Sequence, residues 1–316
     1  MTEKKIHKIE QEDIIIPDIM SGETALVFQR HGKYNRDCNS PDAGSLFSDD
    51  ADRIQDEDTA WFTKVLSQSG APDDTYVLFT SSDTQYAAKG YRSLETGQLA
   101  QNAAAQVMKE LGIDPNRHII NCNKDFAISR SYETDQAIRP MPGVREPEIF
   151  NPADKDYIQH LQAIYGYSDE VAKKGLSPAG WAAHEMDSEM LVRQTAGAEG
   201  QQDLIDRTKK SLYILQRYAR VWHVNNPGKR LVIWLTSHYD TVNPLVKEVE
   251  GQLKNDDGSF SDTYQPVDYG GGIVLKFPKA DTGDVLLETR VHHGRKIALG
   301  NTATRQSVTR LGLPKY

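Results

Sequence analysis

Three short apolar runs constrain this chain more than any other feature: TALVFQR at 24–30, TYVLFTS at 75–81 and RLVIWLTSH at 230–238. Each is one strand long, rich in β-branched or aromatic residues, and reads as a buried strand. Stretches of helical period separate them. Leu99, Ala103, Val107 and Leu111 form one apolar stripe, with Lys109 in its last turn and Gly112 placed to end the helix. Ile205, Thr208, Leu212, Leu215, Ala219 and Trp222 form a second stripe over about 201–223, which NNPGK at 225–229 stops. TVNPLVKEVEGQL reads as a third helix, with Pro244 in its first turn. Strands alternating with helices predict an α/β fold, a mostly parallel sheet with helices on both faces in three layers. GGIVLKF and DVLLETR, joined by PKADTG, read as a hairpin, HIINCN at 118–123 as a further short strand, and 36–58 as a loop.

A chain of 316 residues suits one large domain. The simplest division is a polar lead-in over 1–22, one α/β domain over 23–290 with an irregular insertion at about 124–200, and a C-terminal extension over 291–316. The net charge of −8 provides no general basic field, so nucleic acid is not expected as a partner, and any anion must be held by a local basic pocket. No apolar run is long enough for a membrane span or a signal sequence, so the chain is expected to be cytoplasmic. Cys38 and Cys122 make neither a disulfide framework nor zinc spacing. His292 and His293 are adjacent and point to opposite sides of any strand, and His184 with Glu185 has no partner at metal spacing. Neither a metal nor a cofactor is expected.

In an open α/β sheet, ligands sit beyond the carboxyl ends of the strands. Arg30, His31 and Gly32 follow the first strand, Thr80, Ser81 and Ser82 the second with Arg92 beyond, and Ser237 and His238 the third. Two histidines and two arginines at one sheet edge suit a phosphoryl group. Guanidinium forks match phosphate oxygens, and a neutral imidazole is a competent nucleophile towards phosphorus. Gly32 is expected to let a dianion approach the backbone. His238, if protonated, adds a cation. Arg36 offers a third guanidinium.

The RHG at 30–32 resembles the signature of the histidine phosphatase superfamily, which includes the cofactor-dependent phosphoglycerate mutases. RSLETGQLA at 92–100 is similar to that family's R-A-x-x-T-A helix start, and VIWLTSHYDTVNPLV to its strand and second-histidine segment. DLIDRTKKSLYIL resembles the helix before that strand, and GGIVLKF the strand that usually closes the fold. The order is kept from residue 24 to about 277. Tyr239 stands where the family often has Gly, DTQYAAKGY before Arg92 is longer than usual, and residues 278–316 run past the usual end of the fold.

The resemblance implies a phosphoglycerate mutase-like sheet and a phosphomonoester hydrolase that acts through a covalent phosphohistidine. His31 would be the nucleophile, with Arg30, Arg92 and His238 on the phosphoryl oxygens. The expected substrate is a small phosphorylated molecule, with a phosphoprotein left open. A phosphoglycerate mutase-type phosphotransferase and a catalytically silent phospho-ligand binder are the alternatives. The leaving group needs a general acid. In the family this is commonly a Glu outside the core, in a pattern that Val144-Arg145-Glu146 resembles. Glu148 lies within equal reach, and Asp240, near the second histidine, is the third candidate.

Overall fold

The computed structural model describes residues 19–68, 72–86, 89–120, 138–147, 155–165, 184, 196–249, 267–277, 285–287 and 309–311. Its elements in chain order are β1 (Thr24–Arg30), α1 (Ser48–Leu66), β2 (Thr75–Ser81), α2 (Arg92–Glu110), α3 (Pro115–His118), β3 (Ile138–Pro140), α4 (Lys155–Tyr165), α5 (Gln201–Asn225), β4 (Arg230–Ser237), α6 (Tyr239–Val249), β5 (Gly272–Phe277), β6 (Val285–Leu287) and β7 (Thr309–Leu311). The strands form one sheet in the order β3-β2-β4-β1-β5-β6-β7. β3, β2, β4 and β1 run parallel, and β5, β6 and β7 continue antiparallel at one side.

The period of two along each central strand separates two cores. Leu26 and Phe28 of β1, with Leu231, Ile233 and Leu235 of β4, pack with Leu212, Leu215 and Ala219 of α5 and Val242, Leu245 and Val246 of α6. The alternating residues Ala25, Val27, Val232 and Trp234 pack with Trp61, Phe62 and Val65 of α1 and Ala100, Ala103 and Val107 of α2. The sheet is therefore covered on both faces, as the sequence predicts. Cutting one of these buried leucines to alanine costs about 2–5 kcal/mol.

Four local expectations change. Residues 48–58 are helical, because α1 buries Ile54, Asp58, Trp61, Phe62, Val65 and Leu66 on one face. The buried face of α2 is Ala100, Ala103, Ala104, Val107 and Met108, while Leu111 is exposed. Small residues win that face because the helix lies close to β4; a Cβ on Gly97 would stand 3.0 Å from Thr236 Oγ1. His118 ends the α3 turn, which Asp114 caps by accepting from Asn116 N, with Pro115 at its start. Ile119 then makes only an isolated bridge to Val77, and 121–123 lie outside the described residues. α6 begins at Tyr239, so Pro244 stands in its second turn.

The β5–β6 pairing agrees with the expected hairpin. Three residues of the C-terminal extension, Thr309–Leu311, pair with β6 as an edge strand. His292 and His293 lie outside the described residues. No described helix is long and apolar enough to cross a membrane.

Candidate active site

The ends of β1, β2 and β4 are level: Arg30 lies beside Ser237, and Ser81 beside Thr236. Whatever follows each strand therefore arrives at one place. His31 and His238 come from β1 and β4, and their ring centroids are 5.3 Å apart. Arg92 comes from the first turn of α2, and Glu146 from the segment after β3. The long run before Arg92 folds back through a bridge between Tyr86 and Gly90. Gly90 there packs so tightly on Gly44 that a Cβ would stand 2.3 Å from the Gly44 carbonyl carbon.

The His31 imidazole is buried, and its Nδ1 lies 2.7 Å from the carbonyl oxygen of Gly32. A carbonyl only accepts, so Nδ1 carries the proton and Nε2 keeps its lone pair. That lone pair accepts from Arg92 Nε at 3.1 Å. Burial first, then the charge of Arg92, push the imidazole well below its ordinary pKa; the Gly32 carbonyl opposes this, and Arg30 and Arg36 add to it. His31 is thus neutral at physiological pH.

His238 is fully buried, and its Nε2 lies 2.9 Å from Ser82 Oγ and 3.2 Å from Ser93 Oγ. Nδ1 lies 3.5 Å from Glu146 Oε1, and a carboxylate only accepts, so the proton belongs on Nδ1 and Nε2 is left to accept from a serine hydroxyl. Burial, then His31, Arg92 and Arg207, hold this ring well below its ordinary pKa. The sequence allowed for a protonated second histidine; in this pocket the ring is neutral, first because it is buried and then because Arg92 and Arg207 add positive charge.

Arg92 is almost wholly buried, and its Nη2 pairs with Glu146 Oε1. Thr84 Oγ1 accepts from Glu146 N at 3.1 Å and fixes that segment from behind. Arg30 donates through Nη1 to Val267 O and lies against two rings, Tyr269 at 3.9 Å and Tyr239 at 4.7 Å from centroid to Cζ. Arg92 lies against Tyr34 and Tyr86, at 4.3 and 5.0 Å. Burial lowers the pKa of both guanidiniums, which still remain cationic. Three buried nitrogens here have no hydrogen-bond partner: Arg30 Nε, Arg92 Nη1 and His238 Nδ1. A buried donor left unpaired costs about 1–3 kcal/mol, and an anion with several acceptor oxygens would satisfy such donors.

The structure brings together Arg30, His31, Arg92, Glu146 and His238. Arg36 is exposed at the mouth, where its Nη2 donates to Tyr269 Oη at 2.7 Å. Asp240 acts on both Arg30 and Arg92 through its charge. Glu148 lies outside the described residues. Gly32 has a packing role that the sequence did not predict. A Cβ there would meet Ile54 Cδ1 at 2.6 Å and Asp50 Oδ2 at 2.8 Å, so its bareness seats the loop on α1. Asp50 also accepts from Lys33 N at 2.6 Å. His184, in the insertion, places Nδ1 2.7 Å from Glu199 O. Among the described residues, no cluster of His, Cys, Asp and Glu could hold a metal ion.

Sequence reasoning missed Tyr34, Tyr86, Tyr269 and Ser93. Ser93 and Tyr34 could have been found by proximity to Arg92 and His31, whereas Tyr269 sits in a polar loop without any signal.

No family model matches the chain, and no curated protein matches it. Solved structures similar to it include a phosphoglycerate mutase from Bacillus anthracis, at 14% identity over 85% of this chain and 93% of that one, with a TM-score of 0.42. A mycobacterial glucosyl-3-phosphoglycerate phosphatase aligns at 14% identity over 85% and 98%, with a TM-score of 0.42. A phosphoserine phosphatase from Entamoeba histolytica aligns at 11% identity over 85% and 96%, with a TM-score of 0.37.

Proposed function

We propose that the chain is a phosphomonoester hydrolase of the histidine phosphatase kind, acting through a phosphohistidine at His31. The observation that carries this reading is the buried neutral imidazole, whose Nε2 lone pair accepts from Arg92 Nε, in a site where Arg30 Nε, Arg92 Nη1 and His238 Nδ1 have no hydrogen-bond partner. A phosphoryl dianion takes those donors and draws Arg92 away from His31 Nε2 and from Glu146. Nε2 then attacks phosphorus in line, and the bond to the leaving oxygen breaks. The phosphorylated ring keeps its Nδ1 proton on the Gly32 carbonyl.

Glu146, freed from Arg92 and placed beside a dianion, favours its protonated form and donates that proton to the leaving alkoxide. In the second half, water attacks phosphorus as Glu146 takes its proton, the P–N bond breaks, and inorganic phosphate leaves. The arginines supply the charge compensation, and no metal or cofactor enters the scheme. The substrate is a small phosphorylated molecule.

A screen of phosphomonoesters, with alkaline quenching to preserve an acid-labile phosphoramidate, tests the reading. Wild type should release phosphate and trap label on one histidine, and His31→Ala should do neither. Turnover retained in His31→Ala would overturn the covalent route. Transfer of label to a second hydroxyl in place of water would identify a phosphotransferase, and binding without turnover a silent binder.

A further inference from the structure

Tyrosine rings hold Arg30 and Arg36, and one of those rings serves both. Neither guanidinium pairs with a carboxylate among the described residues. Tyr269 lies in the loop just before β5. Arg30 Cζ stands 3.9 Å from its ring centroid, its hydroxyl accepts from Arg36 Nη2 at 2.7 Å, and its ring meets that of His31 at 5.9 Å. The loop is tied at this residue and at the two that follow it. Arg30 N donates to Gly271 O at 2.7 Å, and Gly270 N to Arg30 O at 3.1 Å. Gln29 Nε2 donates to Gly270 O at 3.1 Å, and Arg53 Nη2 to Tyr269 O at 2.9 Å. The ring is thus fixed to β1 and to α1, the elements that carry and brace His31. Tyr239 makes a second ring contact with Arg30, at 4.7 Å.

We propose that Tyr269 is a positioning residue for the anion site, its ring setting Arg30 and its hydroxyl setting Arg36 at the mouth. The proposal rests on the phosphoryl-binding reading given above. A π face orients a guanidinium without neutralising it, whereas a carboxylate in the same place would compete with the incoming phosphoryl oxygens. The hydrogen bond and the cation contact of Tyr269 both go to the arginines. Its effect passes through the two arginines, so it acts on anion affinity and on KM more than on the intrinsic reactivity of His31.

The test is calorimetric binding of inorganic phosphate to the full chain, which needs no turnover, with KM and kcat for p-nitrophenyl phosphate beside it. Tyr269→Phe keeps the ring and loses the Arg36 bond, so phosphate affinity should fall about threefold. Tyr269→Leu loses both contacts and should fall about thirtyfold, with KM rising in the same order. A Tyr269→Leu protein that melts like wild type and binds phosphate equally well overturns the proposal. If Tyr269→Leu does not fold, Tyr269→Phe decides alone, and unchanged affinity there overturns it. Wild type that binds phosphate but hydrolyses no phosphomonoester removes the enzymatic reading and leaves Tyr269's role standing. Wild type that does not bind phosphate removes both.

Discussion

Mild acid should destabilise this protein through its two site histidines. His31 and His238 are both fully buried, and both are held neutral in the folded state, with pKa values well below the ordinary one. In the unfolded chain each returns to about 6.5. Between the folded and unfolded values the unfolded state binds more protons. The stability the pair contributes is therefore fully present above about pH 6.5 and is lost as pH falls towards the folded values. At pH 5.5 each unfolded histidine gains on the order of 1 kcal/mol from protonation that the folded one does not share, or roughly 2–3 kcal/mol for the pair. For a chain of this size that is a fall in Tm of about 5 °C. Urea denaturation at pH 8 and pH 5.5 measures it, with a His31→Asn/His238→Asn double variant as reference. Wild type should lose roughly 2–3 kcal/mol more than the double variant between the two pH values. Equal losses would refute the claim that both rings are buried in the neutral form.

Glu146→Gln should slow hydrolysis of alkyl phosphates by about 10²–10³-fold, while p-nitrophenyl phosphate, whose leaving phenolate is already stable, slows by less than about tenfold in single-turnover measurements. An equal loss on both would count against Glu146 as the acid, and no loss would move the role to Asp240 or Glu148. Asp58 is buried behind the site, where it accepts from Gln29 Nε2 at 3.1 Å, and burial raises its carboxyl pKa well above the ordinary value. Its folded pKa is raised, so it costs stability as pH rises. Asp58→Asn should therefore gain on the order of 1–2 kcal/mol at pH 8, with a smaller gain at pH 5 in denaturant titrations. Gly32→Ala pushes a methyl group into Ile54 and Asp50, and should lower stability by about 1–3 kcal/mol and phosphatase activity with it. Wild-type melting in that variant would show that the loop yields freely.

The central strands could be read from the sequence because each is buried on both faces, so apolar residues run on without a break. The first half of α1 could not. Ser48–Glu57 holds Ile54 as its one buried apolar residue, and the buried Asp50 and Asp58 interrupt the period. α2 was found with its face misplaced, since alanines against a closely packed strand carry little hydrophobic signal. β3 is three residues long, Ile-Arg-Pro, and exists by pairing with Phe79–Ser81 of β2. At the site, Arg30, His31, Arg92 and His238 were legible as polar residues following buried strands or opening a helix. The tyrosines that surround the arginines come from separate loops, so only the folded chain makes them neighbours. Gly32 suggested an open approach for a ligand; the packing of α1 against it depends on tertiary structure that no tripeptide encodes.

α2 opens at Arg92, and α6 opens at Tyr239, the residue after His238. Two helices therefore begin at residues of the site. Such an end carries roughly half an elementary charge of positive sign. Part of the pocket's attraction for an anion thus belongs to the main chain. It neither titrates with pH nor disappears when one side chain is replaced. A variant lacking Arg30 or Arg92 would retain that background. These amide dipoles are locked by the helical hydrogen bonds behind them, so they need not reorient during the phosphoryl transfer proposed above.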